Sequence, residues 1–518
     1  MKKRNAVALF TAAALTVGTM AGCGGNGNSQ SQAPAGADAQ AEQNETSGGS
    51  GSGTNEEAYN VVIENVTLGA EYKDTQAIEE AINAITQPAI NCTVTILNVG
   101  IADHANRMSM MIAGGEKLDL CMTGLTTNLV GMSNDGMLTP LDEYIDTAGA
   151  DIKTILGDDL DVGRVNGILY GIAGNNTSGR AGGFIYNKEM ADEAGVEIPN
   201  PCTMDDLLAA YEKIKETNPD VYFTSLGNGE VVQPFNCALS TFGDSSYFSY
   251  GVIVEPFDGN TTIENWYASD AAKEYYTIVK EWQNKKIVPA DSMTSGVIPQ
   301  DLFKAGSSFG MTTAYSPMEL PTQAPSYDFE VGMTQLSDVY KDTDIVQERM
   351  WGVPVTSERP EKAVEFLNFM YTNTEVANLL SHGLEGINYE KTDVEGVVNK
   401  IDNANPGYAR IFTMFGDQTK VYYNTPAQAG IQDEIAAFAK TAKPTTTLGY
   451  VFDSASVSAK AAAVSNVVQQ YGPALAVGMV DDVAAALDQI VEAMNQAGME
   501  EVIAENQKQL NEWLANQK

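Results

Sequence analysis

Two kinds of side chain in this sequence could together hold a small polyhydroxylated molecule. Aromatic rings can pack against apolar C–H faces, and carboxylate or amide groups can hydrogen-bond two neighbouring hydroxyls at once. Rings at predicted strand ends or in predicted loops are Trp266, Tyr267, Tyr315, Trp351 and Tyr389. Polar side chains near them or at strand ends are Glu71, Thr123, Asn175, Asn176, Asp244, Glu385 and Asn388. Each ring could instead be part of an apolar core.

The same residue types could also support catalysis, because a pair of carboxylates in a ring-lined site is what a glycoside hydrolase uses. The chain has 68 Asp and Glu residues, so close carboxylate pairs are unavoidable and do not separate the two functions. Motifs of serine hydrolases, zinc peptidases and P-loop enzymes are absent. Only two histidines occur, His104 and His382. We therefore predict no catalytic residues, no metal site and no cofactor, with a surface hydrolase as an alternative.

The N-terminus carries an export signal. Three basic residues at positions 2–4 precede an apolar stretch over 6–20, which is typical of a secretory signal and too short for a membrane span. The sequence Met-Ala-Gly-Cys that follows resembles the lipobox of bacterial lipoproteins, in which the cysteine, here Cys23, is diacylated. The alternative is an ordinary signal peptide cleaved after Gly22. We predict a signal peptide over 1–22 and a lipid-anchored flexible linker over 23–57.

The charge of the chain limits its partners. Removal of residues 1–22, which carry three positive and no negative charges, changes the formal net charge from −38 to −41. A chain this acidic repels phosphates, so nucleic acid is not an expected partner. The four cysteines beyond Cys23 are widely spaced and form no C-x-x-C motif. They could be buried thiols or include one disulfide.

Alternating strand and helix patterns begin the ordered part of the chain. YNVVIENVTLG is a predicted strand, DTQAIEEAINAITQ a helix with Asp74 as its expected N-cap, and CTVTILNVG a second strand. A helix over 103–113 and a third strand, KLDLCMTG, follow. This order predicts a doubly wound parallel sheet, in which ligands bind beyond the carboxyl ends of the strands. Glu71 and Thr123 follow the first and third strands.

Later segments are mainly helical. Helices are predicted over 203–216 and 270–285, capped by Thr203 and Ser269 respectively. Two more helices follow Pro360, and the last 60 residues are helical and amphipathic. The chain is thus expected to be an α/β protein with a helical C-terminal region.

Three segments resemble a known family in their order and spacing: GGFIYNKEMADEAGVEIPNPCTMDDL, LFKAGSSFGMTTAY and WGVPVTSERPEKAVEFLNFMYTNTEVANLL. With the lipobox and the polar linker, they resemble the extracellular solute-binding lipoproteins (family 1 type) of bacterial ABC importers. HGLEGINYE and GYVFDSASV, followed by the helical tail, resemble the C-terminal region of the lipoproteins LipO and LplA. The resemblance covers nearly all residues beyond about 58.

This resemblance implies a two-lobed periplasmic-binding-protein-like fold (type II) with the ligand cleft between the lobes. It implies crossovers between the lobes near 173–177, 305–310 and 352–356. The expected lobe 1 is then 58–174 and 309–353, and the expected lobe 2 is 175–308 and 354–455. The C-terminal helical region, 456–518, is left unassigned to a lobe. Because Trp351 begins the third crossover, both lobes could reach it.

The resemblance also implies a function. The protein is expected to capture an extracellular oligosaccharide by lobe closure and to deliver it to the transmembrane subunits of an ABC permease. It is expected to act as a monomer on the outer face of the cytoplasmic membrane of a Gram-positive bacterium. The alternatives are a peptide-binding importer component and a surface glycoside hydrolase.

Overall fold

The structure, a computed structural model, describes residues 57–516 apart from 69–71, 176–178, 227–236, 402–405, 410–414 and 425–430. The predicted signal peptide, the linker up to residue 56 and Cys23 lie outside the described residues. So do two of the predicted site residues, Glu71 and Asn176. The described elements are arranged around two groups of buried apolar side chains, here called lobe 1 and lobe 2.

Residues 59–173 build most of lobe 1. Its elements are β1 (Tyr59–Thr67), α1 (Thr75–Ile90), β2 (Cys92–Gly100), α2 (His104–Ala113), β3 (Cys121–Met122), α3 (Leu129–Asn134), α4 (Asp142–Ile145), α5 (Ala150–Leu156), β4 (Arg164–Val165), β5 (Ile168–Leu169) and β6 (Gly171–Ala173). Strands β1 and β2 pair in parallel along their whole length. Helix α1 buries Ile78 and Ile82 in the same apolar group. The predicted βαβ unit is confirmed.

The predicted cap of α1 is wrong. Asp74 precedes the helix, but its side chain accepts no hydrogen bond from the first turn. Its carboxylate instead accepts a hydrogen bond from Nδ2 of Asn388, at 2.8 Å. A partner 314 residues away in sequence thus takes the place of the local cap.

Residues 181–335 build lobe 2. Its elements are β7 (Ala181–Asn187), α6 (Lys188–Glu193), α7 (Met204–Thr217), β8 (Leu239–Ser240), β9 (Ile253–Val254), α8 (Asp270–Lys285), α9 (Pro299–Lys304), β10 (Gly310–Tyr315), α10 (Glu319–Gln323) and β11 (Val331–Gln335). The central strand β7 pairs antiparallel with both β10 and β11. Thr203 and Asp206 form a capping box at α7, and Ser269 caps α8. Both predicted caps are confirmed.

Residues 340–444 lead the chain back to lobe 1. The elements are β12 (Tyr340–Lys341), α11 (Thr343–Gln347), β13 (Met350–Gly352), α12 (Pro360–Thr372), α13 (Thr374–His382), β14 (Tyr389–Lys391), β15 (Val398–Lys400), α14 (Gln432–Thr441) and β16 (Lys443–Pro444). Strand β13 lies between β3 and β6 and is antiparallel to both. The sheet region of lobe 1 is therefore mixed: the predicted parallel arrangement holds for β1 with β2 and for β1 with Leu120 of the third predicted strand, whereas β13 runs antiparallel.

The C-terminal helices pack on lobe 2. They are α15 (Ser458–Ala476), α16 (Val483–Ala497) and α17 (Met499–Asn516). Val464 of α15 and Ile490 of α16 lie in the same apolar group as Val279 and Trp282 of α8. The structure thus assigns to lobe 2 the region that the sequence left unassigned.

In the described residues, segments at 174–175 with 179–180, at 336–342 and at 442–450 connect the lobes. They lie side by side, because β12 pairs in parallel with β16 and Arg180 exchanges two main-chain hydrogen bonds with Tyr340, at 2.9 and 2.8 Å. Adjacent segments of this kind form a common hinge region through which one lobe can move relative to the other.

The second and third crossovers lie elsewhere than the sequence indicated. Gly310 pairs with Tyr186 inside lobe 2, and Gly352 pairs with Cys121 inside lobe 1. The predicted lobe boundaries change accordingly: residues 310–335 lie in lobe 2 and the helices over 360–382 lie in lobe 1. Both positions lie in strands, and the sequence pattern of a strand does not reveal which strand is its partner.

Two further findings concern cysteines and membrane spans. The four cysteines in the described residues form no disulfide, and Cys92, Cys121 and Cys202 are buried thiols. None of the helices in the described part of the chain combines the length and apolarity that a bilayer span requires.

Candidate functional site

A cleft of about 580 Å³ lies between the lobes. Lobe 1 contributes residues from the segment 123–135, and lobe 2 contributes residues from 242–250 and 450–455. Helix α11 and the residue after it, over 344–348, complete the lining. The volume falls in the range of about 300–1,000 Å³ that is usual for small-molecule sites.

The lobe 1 wall is a loop with a closely constrained backbone. The amide of Thr123 donates to the carbonyl of Met350 at 2.9 Å, and the amide of Leu125 donates to the carbonyl of Glu348 at 3.1 Å. Gly124 lies so close to Glu348 that a Cβ atom would stand 2.0 Å from the Glu348 carbonyl oxygen. This wall therefore keeps its position relative to α11.

A buried pair of side chains, His104 and Glu64, supports this wall from within lobe 1. Nε2 of His104 lies 3.1 Å from Oε1 of Glu64, and both side chains are fully buried. Nδ1 of His104 lies 2.6 Å from the hydroxyl of Thr126 in the wall. The other oxygen of Glu64 accepts a hydrogen bond from the amide of Met122, at 2.9 Å. The pair connects β1 and α2 to the loop that faces the cleft.

The lobe 2 wall is linked to α11 by Asp344. Its Oδ2 accepts hydrogen bonds from the hydroxyl of Thr241 at 2.9 Å and from the amide of Gly243 at 3.2 Å. The adjoining turn is held by Asp244, which accepts from the amides of Tyr247 and Ser249 at 3.0 and 2.8 Å. Asp344 thus couples the second crossover to the lobe 2 side of the cleft.

The described lining of the cleft is acidic and rich in hydrogen-bonding groups. Its carboxylates, amides and hydroxyls include Asp135, Asp344, Glu348, Asp453, Asn128, Asn134, Gln347, Thr127, Ser245 and Ser454. No lysine, arginine or histidine is among the described lining residues. Outside the lining, the guanidinium of Arg349 lies 3.5 Å from the carboxylate of Glu348. Such a surface suits an uncharged ligand with many hydroxyls, or a cation, better than an anion.

A buried polar cluster joins the crossovers beside the cleft. Asp342 caps α11, with its Oδ1 accepting from the amide of Ile345 at 2.8 Å. The next side chain, Thr343, donates to the carbonyl of Thr447 at 3.0 Å. Burial, and secondarily the charge of Asp344, raise the pKa of Asp342 to about 7, although Arg180 and the Ile345 amide oppose this. The second and third crossovers thus meet around a carboxyl group that titrates near neutrality.

We expect Asp342 to make the folded protein less stable as the pH rises from about 4 to about 7. Folded protein keeps the Asp342 proton up to about pH 7, whereas the unfolded chain loses it near the ordinary value of 3.8. The folded state then binds more protons than the unfolded state, so the free energy of unfolding falls with rising pH. The substitution Asp342→Asn would retain the cap and remove the charge. Urea unfolding at several pH values should show wild type losing stability relative to Asp342→Asn across this range, and parallel curves would contradict the assignment.

The structure places the polar predicted residues in different parts of the molecule. Thr123 lines the cleft, although only 1% of it is exposed. Asn175 lies in the first crossover and donates from Nδ2 to Asp417 at 2.9 Å. Asp244 lies next to the lining residues Gly243 and Ser245 and stabilises their turn.

Three of the predicted rings are core residues. Trp266 and Tyr267 are each 1% exposed and pack around Tyr276 inside lobe 2. Trp351 is fully buried in lobe 1, with its ring 5.6 Å from that of Phe415. None of the three offers a ring face to a ligand, because each is buried in the core of its lobe. We therefore leave them out of the site.

The remaining predicted residues lie away from the described cleft lining. Tyr315 ends β10, and its hydroxyl accepts from Nδ2 of Asn200 at 2.9 Å. Glu385 pairs with Lys391 at the surface of lobe 1. Asn388 and Tyr389 follow it and are both buried. The structure brings these last three together, but not with the cleft.

Sequence reasoning missed most of the cleft lining. The segment over 128–135 contains no aromatic ring and lies between the elements that the sequence predicts, and the segment over 450–455 appears there only within a resemblance motif. One signal in the sequence could have indicated the lobe 1 wall: Asn128 is a typical N-cap residue. Its side chain accepts a hydrogen bond from the amide of Gly131 at 2.6 Å, and α3 therefore begins at the wall. The other signal was GYVFDSASV, which combines rings with Asp453 and Ser454 outside any helix.

Comparisons with known proteins identify two regions of the chain. Residues 69–377, more than half of the chain, match the family described as Bacterial extracellular solute-binding protein. Residues 446–515 match a family described as Domain of unknown function (DUF3502). The two matches together cover most of both lobes and the C-terminal helices.

Individual relatives agree with the family match. A protein of Streptococcus pneumoniae serotype 4 (strain ATCC BAA-334 / TIGR4) named Carbohydrate ABC transporter substrate-binding protein is 24% identical over 450 residues, covering 84% of this chain and 87% of that one. The crystal structure of the N-glycan transport solute binding protein NgtS from Streptococcus pneumoniae is similar in fold, with a TM-score of 0.76 at 22% identity, and covers 89% of this chain and 100% of that one. The structure of NgtS in complex with Man5GlcNAc gives a TM-score of 0.63 at 21% identity and covers 89% and 99%.

Proposed function

The chain belongs to the family of bacterial extracellular solute-binding proteins, and on that premise we propose that it captures an extracellular oligosaccharide and delivers it to an ABC permease. The observation that carries the proposal is the cleft of about 580 Å³ lined from both lobes. The relative named as a carbohydrate ABC transporter substrate-binding protein, and the similar fold of a glycan transport protein, support the choice of ligand class. Lipid anchoring at Cys23 stays a prediction of the sequence.

The chemistry of the lining favours a neutral sugar. Carboxylates and amides such as Asp453, Asn128 and Gln347 accept and donate the hydrogen bonds that pairs of hydroxyls need. A carboxylate on the ligand would face Asp344 and Glu348, with no lysine or arginine among the described lining residues to offset the repulsion. We therefore propose an uncharged oligosaccharide as the ligand.

In this proposal, capture of the ligand involves closure of the two lobes about the hinge region. A ligand that contacts both the loop at 123–135 and the lobe 2 segments gains more contacts when the lobes approach, so it shifts the open–closed equilibrium towards the closed form. The three adjacent crossovers allow this movement without breaking either core. Micromolar affinity corresponds to about −8 kcal/mol, which several paired hydroxyl contacts can supply. The protein binds the sugar in this proposal and does not convert it.

Titration calorimetry with three ligand types tests the substrate class. We expect saturable binding of a neutral oligosaccharide and at least tenfold weaker binding of an acidic oligosaccharide of equal length, because of the carboxylate lining. Higher salt should narrow this difference by screening the repulsion.

A cationic peptide is the third ligand, because an acidic cleft would also attract it. Binding of the peptide alone would keep the fold and overturn the oligosaccharide assignment. Equal affinity for the neutral and the acidic sugar would contradict the proposed role of the carboxylates.

A further inference from the structure

The C-terminal region contributes residues both to the cleft and to the core of lobe 2. Residues 450–455, which we call the strap, line the cleft, while α15–α17 pack on the lobe 2 core. Both parts lie within residues 446–515, which match a domain of unknown function. The strap is connected to the third crossover at one end and to the start of α15 at the other.

Helix α17 holds the first residue of the strap through a buried network. The hydroxyl of Tyr450 donates to Asn506, with 2.8 Å to its Oδ1 and 3.0 Å to its main-chain oxygen. Nδ2 of Asn506 donates in turn to the carbonyl of Tyr250, another lining residue, at 2.8 Å. Asn506 is fully buried, so losing either bond would leave a polar group unsatisfied.

A second side chain of α17 holds the middle of the strap. Gln509 accepts a hydrogen bond from the amide of Asp453 at 3.0 Å and donates one to its carbonyl at 2.9 Å. Phe452, 5% exposed, packs its ring 5.2 Å from that of Tyr250. The main chain of the strap is thus attached to α17, while the side chain of Asp453 remains exposed at the cleft.

We propose that the C-terminal region is a ligand-recognition element in which α17 positions the strap as one wall of the cleft. Asp453 and Ser454 then present hydrogen-bonding groups to the captured sugar, and Asn506 and Gln509 act as positioning residues. This inference rests on the proposed function, because it takes the cleft as the place where the ligand binds.

The same helix provides a matched control. Gln507 also makes two main-chain hydrogen bonds, accepting from the amide of Ile263 at 2.9 Å and donating to the carbonyl of Thr261 at 3.0 Å. Both glutamines are on the same helix and each holds a neighbouring segment from its side chain. Gln509 holds the strap, which lines the cleft, whereas Gln507 holds residues 261–263, which are not among the lining residues.

The test compares Gln509→Ala and Gln507→Ala with wild type by calorimetry, using the neutral oligosaccharide that wild type binds. We expect both variants to lose similar thermal stability, while Gln509→Ala raises Kd about tenfold and Gln507→Ala changes it less than twofold. Equal changes in Kd for the two variants, or an unchanged Kd for Gln509→Ala, would overturn the proposal.

A second variant covers the case in which Gln509→Ala does not fold. Asp453→Ala removes an exposed carboxylate and the hydrogen bond that it accepts from the Ala455 amide at 3.0 Å. It leaves the main-chain bonds to Gln509 in place, so it should fold like wild type and raise Kd several-fold. An unchanged Kd would contradict the contact. If wild type itself binds no oligosaccharide, the proposed function fails. If wild type and the variants bind it equally well, the proposed function stands and only the role of the strap fails.

Discussion

Replacing His104 with alanine should lower the free energy of unfolding by about 1–3 kcal/mol, the cost of leaving buried polar groups without the partner beside them. The substitution leaves the Glu64 carboxylate fully buried without the imidazole 3.1 Å away. It also removes the contact to Thr126 in the cleft wall, so ligand affinity should fall together with stability. Urea unfolding and calorimetry on the same preparation measure both effects.

Two further variants test whether the loss of stability in His104→Ala comes from the buried pair. Adding Glu64→Gln to His104→Ala should restore part of the lost stability, because glutamine is uncharged and its oxygen still accepts from the Met122 amide. At the surface, Lys153→Ala removes an ion pair to Asp146 in which both side chains are more than half exposed, and should cost less than about 1 kcal/mol. A cost for His104→Ala as small as for Lys153→Ala would show that the buried pair does not support lobe 1.

Placing a tryptophan at Ser245 should abolish measurable binding of the oligosaccharide, raising Kd at least a hundredfold. Ser245 is exposed and lines the cleft from lobe 2, so an indole there occupies the space in which we place the ligand. Because the side chain lies outside both cores, the thermal midpoint should change little. Calorimetric titration of the variant measures the effect directly.

The adjacent residue gives the control for this variant. Ser246 is also exposed but is not among the residues that line the cleft. Ser246→Trp should therefore bind the oligosaccharide like wild type. Equal loss of binding in both variants would indicate damage to the turn, and equal retention would place the ligand elsewhere in the protein.

Local features of the fold were predictable because they depend on neighbours in sequence. The βαβ unit at the start and the caps at Thr203 and Ser269 follow from periodicity and from residues within one helical turn. Strand partners were not predictable in this way. The segment GMTTAY was expected in lobe 1, but it forms β10 and pairs with β7 of lobe 2, because pairing depends on long-range contacts.

The site was predicted less well than the fold, for the same reason. A tryptophan can supply a ring to a ligand or fill a core, and only tertiary packing decides, as it does for Trp266 and Trp351. The cleft also combines Thr123 with Tyr450 and Asp453, more than 300 residues later in the chain. The absence of basic residues from its described lining becomes visible only once these segments are brought together.

We propose that this protein captures a neutral oligosaccharide and releases it unchanged. The most direct measurement is a calorimetric titration of wild-type protein with that sugar, followed by chromatography of the recovered sugar. We predict saturable one-to-one binding and recovery of the intact oligosaccharide. Shortened sugars in the recovered material would identify a glycoside hydrolase and contradict the proposed function.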